Sequence, residues 1–154
     1  HDSYNVDQFR AYVLYPLKPG GGGRYRRAGH SLLTDAVLSP PALPAPANAV
    51  LLVDGLFLHR GELAAEWDFS VFLDVPFAVT AARMALRDGT PPDPDDPAMR
   101  RYVGGQRLYF ADTDPAGRAT VVVDNTDPDR PRFIPAAAAS YRPGRNAART
   151  RPET

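Results

Sequence analysis

The 154 residues carry 18 basic and 18 acidic side chains, so the formal net charge is zero. A neutral chain has no bulk field to draw it to nucleic acid or to an anionic membrane surface. Apolar residues make up 44% and cysteine is absent, which suits about one globular domain. It also excludes disulfides, thiolate metal sites and a cysteine nucleophile, and agrees with a reducing, cytoplasmic setting.

No apolar run approaches the roughly 18–20 residues of a membrane-spanning helix, and no signal peptide is visible. His1, His30 and His59 lack metal-ligand spacing. The first residue, His1, stands directly in a patterned segment, so the chain is expected to be an internal fragment.

The opening segment, HDSYNVDQFRAYVLYPL, places Asp7 as the N-cap of a short helix over Gln8–Tyr15 that Pro16 ends. Phe9, Val13 and Leu17 share one face. KPGGGG follows at 18–23. It lacks the Lys-Ser/Thr pair of a phosphate loop and reads as a flexible connector. Residues 24–39 suggest two short strands around a turn near Ser31–Asp35. The prolines of 40–46 suggest a stiff extended linker.

The stretch from Asn48 to Asp88 organises the rest. It holds two nearly continuous apolar runs, Val50–Asp54 and Ser70–Val75, of the kind that forms strands buried on both faces of a parallel sheet. Asp54 and Asp74 stand near their carboxyl ends, where open α/β sheets collect ligands. A plain turn, Asp54 followed by Gly55, is an equal reading of the first.

Pro76–Asp88 reads as a helix with Pro76 in its first turn and Gly89 at its end. Arg83 and Arg87 lie four apart and share a face, which for most such pairs is simply solvated. GTPPDPDDP at 89–97 is a surface loop. Ala98–Phe110 suggests a helix weakened by Gly104 and Gly105, then a turn over Asp112–Ala116. Ala119–Asn125 is a third buried strand, and Pro128–Ile134 an irregular return or short edge strand. From Pro135 the chain is poor in large apolar residues and reads as a disordered tail. The expected organisation is a domain over 1–134 and a tail over 135–154. The alternation of strands and helices gives an α/β fold with a parallel sheet.

In this order, VLLVDG, VFLDVP, ARMALRD, RRYVGGQRLY and ATVVVDNTD resemble the uridine kinase branch of the P-loop nucleoside kinases, over roughly residues 1–134. The resemblance implies a P-loop NTPase-type sheet with flanking helices, here without its first strand and phosphate loop. It implies an ATP- and magnesium-dependent enzyme that phosphorylates the 5′-hydroxyl of uridine or cytidine. Asp54 would be the acidic residue that holds magnesium through water. Asp2 would bind the nucleoside sugar, and Tyr25 and His30, five apart, the base. Arg83 and Arg87 would serve the phosphates. The segment 89–97 carries no arginine, so Arg100 and Arg101 would stand in for lid arginines. Asp124 and Asn125 would lie near the adenine. The family's Walker A loop and general base have no counterpart in the sequence, so the chain alone is expected to be inactive.

A small-molecule nucleoside is the expected partner, and a homo-oligomer is left open. Two other readings stand beside this one. The first is a non-catalytic nucleoside- or nucleotide-binding module. The second is a same-fold kinase of another small alcohol.

Overall fold

The computed structural model describes residues 5–31 and 33–142, and the chain divides into two compact units, 1–54 and 55–154. In the first, Asn5 rather than Asp7 caps the opening helix. Its Oδ1 accepts the Gln8 N–H at 2.9 Å, as short polar side chains do at N-caps. The helix runs as α1 (Val6–Phe9), a π-helical turn (Arg10–Leu14) and α2 (Tyr15–Leu17). It therefore continues past Pro16, where the sequence predicted its end. Proline has no N–H and crowds the carbonyl four residues back. The wider π turn lies just ahead of it, and the carbonyl it leaves unused, that of Tyr12, accepts the Arg26 N–H at 3.0 Å.

The glycine-rich segment is a hydrogen-bonded turn. Gly21 N–H donates to Lys18 O at 2.8 Å and Gly23 N–H to Pro16 O at 2.9 Å. Gly20 and Gly23 adopt φ of +81° and +64°, open to glycine at no steric cost. β1 (Arg24–Tyr25) pairs antiparallel with β2 (Leu43–Pro44). The proline stretch thus supplies a strand, and proline is tolerated there because β2 lies at an edge. The predicted hairpin over 24–39 reduces to one bridge, His30 with Val37.

Val50–Asp54 is not a strand. Val50 and Leu52 are 93% and 90% exposed, and among the described residues no strand pairs with the run. Apolar content alone does not hold a strand, because its backbone N–H and C=O groups need a ladder.

The second unit opens with α3 (Gly61–Ala64) and builds a three-stranded sheet of order β3-β4-β5. β3 (Val71–Asp74) and β4 (Val121–Asp124) are parallel, and β5 (Arg132–Ile134) is antiparallel to β4. Between β3 and β4 run α4 (Phe77–Asp88), a 3₁₀ turn (Pro97–Met99), a π-helical turn (Arg100–Gly104), α5 (Gly105–Thr113) and α6 (Pro115–Arg118).

α4 matches the sequence reading. Pro76 precedes it and Gly89, at φ +71°, closes it by donating to Ala85 O at 3.0 Å. The loop after it is pinned by aspartates. Asp93 accepts from the Asp95 N–H, Asp96 from the Ala98 N–H, and Asp95 pairs with Arg107 at 2.7 Å.

Helices cover one face of this sheet. Phe72 packs its ring against Phe110 and Tyr141 at 5.8 and 5.9 Å, beside Ala116, Val122 and Ala139. A second cluster joins α4 to the next helix through Ala81, Met99 and Val103. Residue alternation sends Leu73, Val123 and Phe133, aligned by register, to the other face. Leu73 and Phe133 are exposed there. The expectation of strands buried on both faces therefore fails for β3.

The predicted tail is also partly corrected. Residues 135–142 include a 3₁₀ turn at Ala136–Ala138, a fully buried Ala139, and Tyr141 stacked on Phe110 at 4.5 Å. A small residue and one ring suffice to pack a segment that composition marks as unfolded. Residues 143–154 lie outside the described residues.

Candidate functional site

The carboxyl ends of the parallel strands bring Asp74 and Asp124 side by side in register. Both are buried. Burial of a carboxylate demands donors, and the chain supplies them. Asp74 accepts the Ser140 N–H and the Ser140 hydroxyl, each at 2.8 Å. Asp124 accepts the Thr126 N–H at 3.0 Å and has Arg132 at 4.0 Å. The ladder runs one residue further, with Asn125 N–H donating to Asp74 O at 3.0 Å. From α4, Arg83 donates to the Asn125 and Thr126 carbonyls at 3.2 and 2.9 Å. The strand ends thus carry a hydrogen-bonded polar cluster that Ser140 joins from residues 135–142.

Its flank is held by Asp114, the left-handed residue between α5 and α6. Asp114 accepts from the Tyr141 hydroxyl at 2.7 Å and from Arg142. The Tyr141 bond, followed by the Arg142 charge, holds the Asp114 carboxyl below its ordinary range. Burial, then the bond to Asp114, pushes the Tyr141 hydroxyl up to about 12.

Of the residues the sequence singled out, Arg83, Asp124 and Asn125 meet at these strand ends. Arg83 is engaged by backbone carbonyls there. Arg87 is exposed and bonds the neighbouring Asp88 at 2.7 and 2.9 Å. That contact is the first cause of the lowered Asp88 carboxyl. Arg100 and Arg101 are exposed on the π-helical turn.

In the first unit, Tyr25 sits half-buried in β1 opposite Leu43. His30 is exposed, with Nε2 3.0 Å from Asp35. Asp54 is exposed, without the strand meant to position it. Asp2 lies outside the described residues.

Among the described residues no group of three or more His, Cys, Asp or Glu side chains is placed to hold a metal ion. One exposed carboxylate, Asp54, still fits the magnesium mode in which phosphates and water supply most ligands.

Sequence reasoning missed His59. It is buried, 7% exposed, in the turn before α3. Its backbone N–H donates to the Tyr109 hydroxyl at 3.1 Å, and Arg118 donates to its backbone carbonyl at 3.4 Å. Burial, then the Arg118 charge, lowers its pKa. The available signal was a histidine set among apolar residues in GLFLHR.

No family model, curated protein or solved structure matches the chain. What the fold defines is the class: a mixed α/β protein with a small, partly parallel sheet. No helix among the described residues is long and apolar enough to cross a membrane.

Proposed function

We propose that this protein is a uridine kinase-like enzyme that transfers the γ-phosphoryl group of ATP to the 5′-hydroxyl of a pyrimidine nucleoside in the cytoplasm. The observation that carries the reading is the parallel pairing of VFLD with VVVD, with arginines 83, 87, 100 and 101 on the segment that connects them. This P-loop NTPase-type reading of the sheet rests on the sequence motifs together with that pairing.

Phosphoryl transfer needs positioning and the neutralising of spread negative charge, and guanidinium forks suit phosphate oxygens. Arg87, Arg100 and Arg101 are exposed and can meet phosphates. Arg83, bonded to the Asn125 and Thr126 carbonyls, fixes α4 to the strand end and so positions Arg87. Asp54 would hold magnesium through water, and the bound ion would neutralise phosphate charge. Asp2 would hold the sugar, and Tyr25 and His30 the base. Asp124 and Asn125 would border the adenine.

A non-catalytic nucleoside-binding module is the second reading. The sequence upstream of His1 discriminates the two, since a Gly-x-x-x-x-Gly-Lys-Ser/Thr motif there would mean a kinase.

The test is ATP-dependent phosphorylation of uridine and cytidine by the protein made from its complete coding frame. Turnover is expected, with Asp54→Asn lowering kcat by about 100-fold or more and Tyr25→Ala and His30→Ala raising KM. Saturable uridine binding without turnover would select the module. Neither binding nor turnover would defeat both readings.

A further inference from the structure

The His59 ring packs edge-on to Phe72 at 6.4 Å, and its Nε2 is buried with no hydrogen-bond partner among the described residues. The charged and titratable groups seen against it are Arg118 on α6 and Tyr109 on α5, with Arg60 beside it in sequence. Arg60 is itself paired with Glu62 at 2.6 Å. From β3 the ring of Phe72 faces it. A neutral imidazole suits this place. Its protonated form would bury an N–H donor with no acceptor, next to the Arg118 cation.

We propose that His59 is a pH-sensitive latch: its protonation releases the segment Leu56–Trp67 from α5, α6 and β3. The proposal does not depend on the kinase reading. The thermodynamic sign follows from the environment. The folded state binds this proton less readily than the unfolded chain does. The docked segment is therefore fully favoured above about pH 6.5, the ordinary histidine value. Docking weakens as pH falls below that, by up to about tenfold in the opening equilibrium per pH unit, until the lowered folded value is passed.

The segment carries its own reporter. Trp67 is the chain's single tryptophan, and its Nε1–H donates to Leu58 O at 2.8 Å. The experiment is Trp67 emission and amide hydrogen exchange of the full chain between pH 8 and pH 5. We expect a red-shifted emission and faster exchange over residues 56–67, with a midpoint below about 6.5. His59→Gln should abolish the transition and His30→Gln should keep it. An unchanged signal down to pH 5, or the same transition in His59→Gln, overturns the latch. Should His59→Gln fail to fold, the imidazole resonance of His59 in the unaltered chain decides. A titration midpoint at or above about 6.5 overturns the proposal, and one clearly below it supports it.

Discussion

Val71–Asp74 is held residue for residue to Val121–Asp124 and turns Phe72 and Asp74 into a packed interior. Val50–Asp54 has the same apolar character and the same terminal aspartate. Among the described residues it has no ladder, and Val50 and Leu52 face solvent. The difference teaches that an apolar run becomes a strand through its partners. It needs a neighbouring backbone to satisfy its N–H and C=O groups and a layer of side chains to cover one face.

The aspartates diverge for the same reason. Asp74 is enclosed because Ser140 reaches it from far along the chain. Asp54, with no such partner from a distant segment among the described residues, stays exposed.

The contrast breaks most visibly at its apolar members. Phe72→Ala removes a ring that touches His59, Phe110 and Tyr141 and should cost about 3–4 kcal/mol. Leu52→Ala should stay within about 0.5 kcal/mol. Urea denaturation of the two variants compares them directly. Equal losses would mean that 50–54 is packed after all.

The aspartates give the next largest effect. Asp74→Ala removes two hydrogen bonds from the half-buried Ser140 to a carboxylate and should cost about 2–3 kcal/mol, with faster hydrogen exchange at the Ser140 amide. Asp74→Asn should recover part of this through its remaining oxygen. Asp54→Ala should leave stability unchanged, and a comparable loss there would place Asp54 in the fold rather than at a site.

The arginines of α4 sharpen the picture with the smallest effect. Arg83→Ala, which loses two carbonyl contacts, should cost about 1–2 kcal/mol. Arg87→Ala should leave the thermal midpoint where it is, because an exposed pair with its own neighbour is solvent-screened. Matching midpoints for the two variants would undo the positioning role given to Arg83.

Much of the second unit was legible. Pro76 and Gly89 bracket α4 as punctuation predicts, and the valines of 121–123 mark β4. The edge strand at 132–134 falls within the predicted return. The strand-end cluster was read only in part. Asp124, Asn125 and Arg83 were chosen from sequence, but the residue that joins them, Ser140, sat in a segment composition marks as unfolded. His59 was set aside because its spacing suits no metal, and spacing carries no information about burial.

By itself the sequence determined what depends on near neighbours: the Pro76 and Gly89 ends of α4, the glycine turn at 18–23, and which runs favour extended backbone. Only the tertiary structure decided which extended run became a strand, that 135–142 packs, and that His59 lies beneath the surface beside Arg118. Local preferences act over a few residues. Pairing and burial join groups such as Asp74 and Ser140, 66 positions apart, and no short window of sequence contains both.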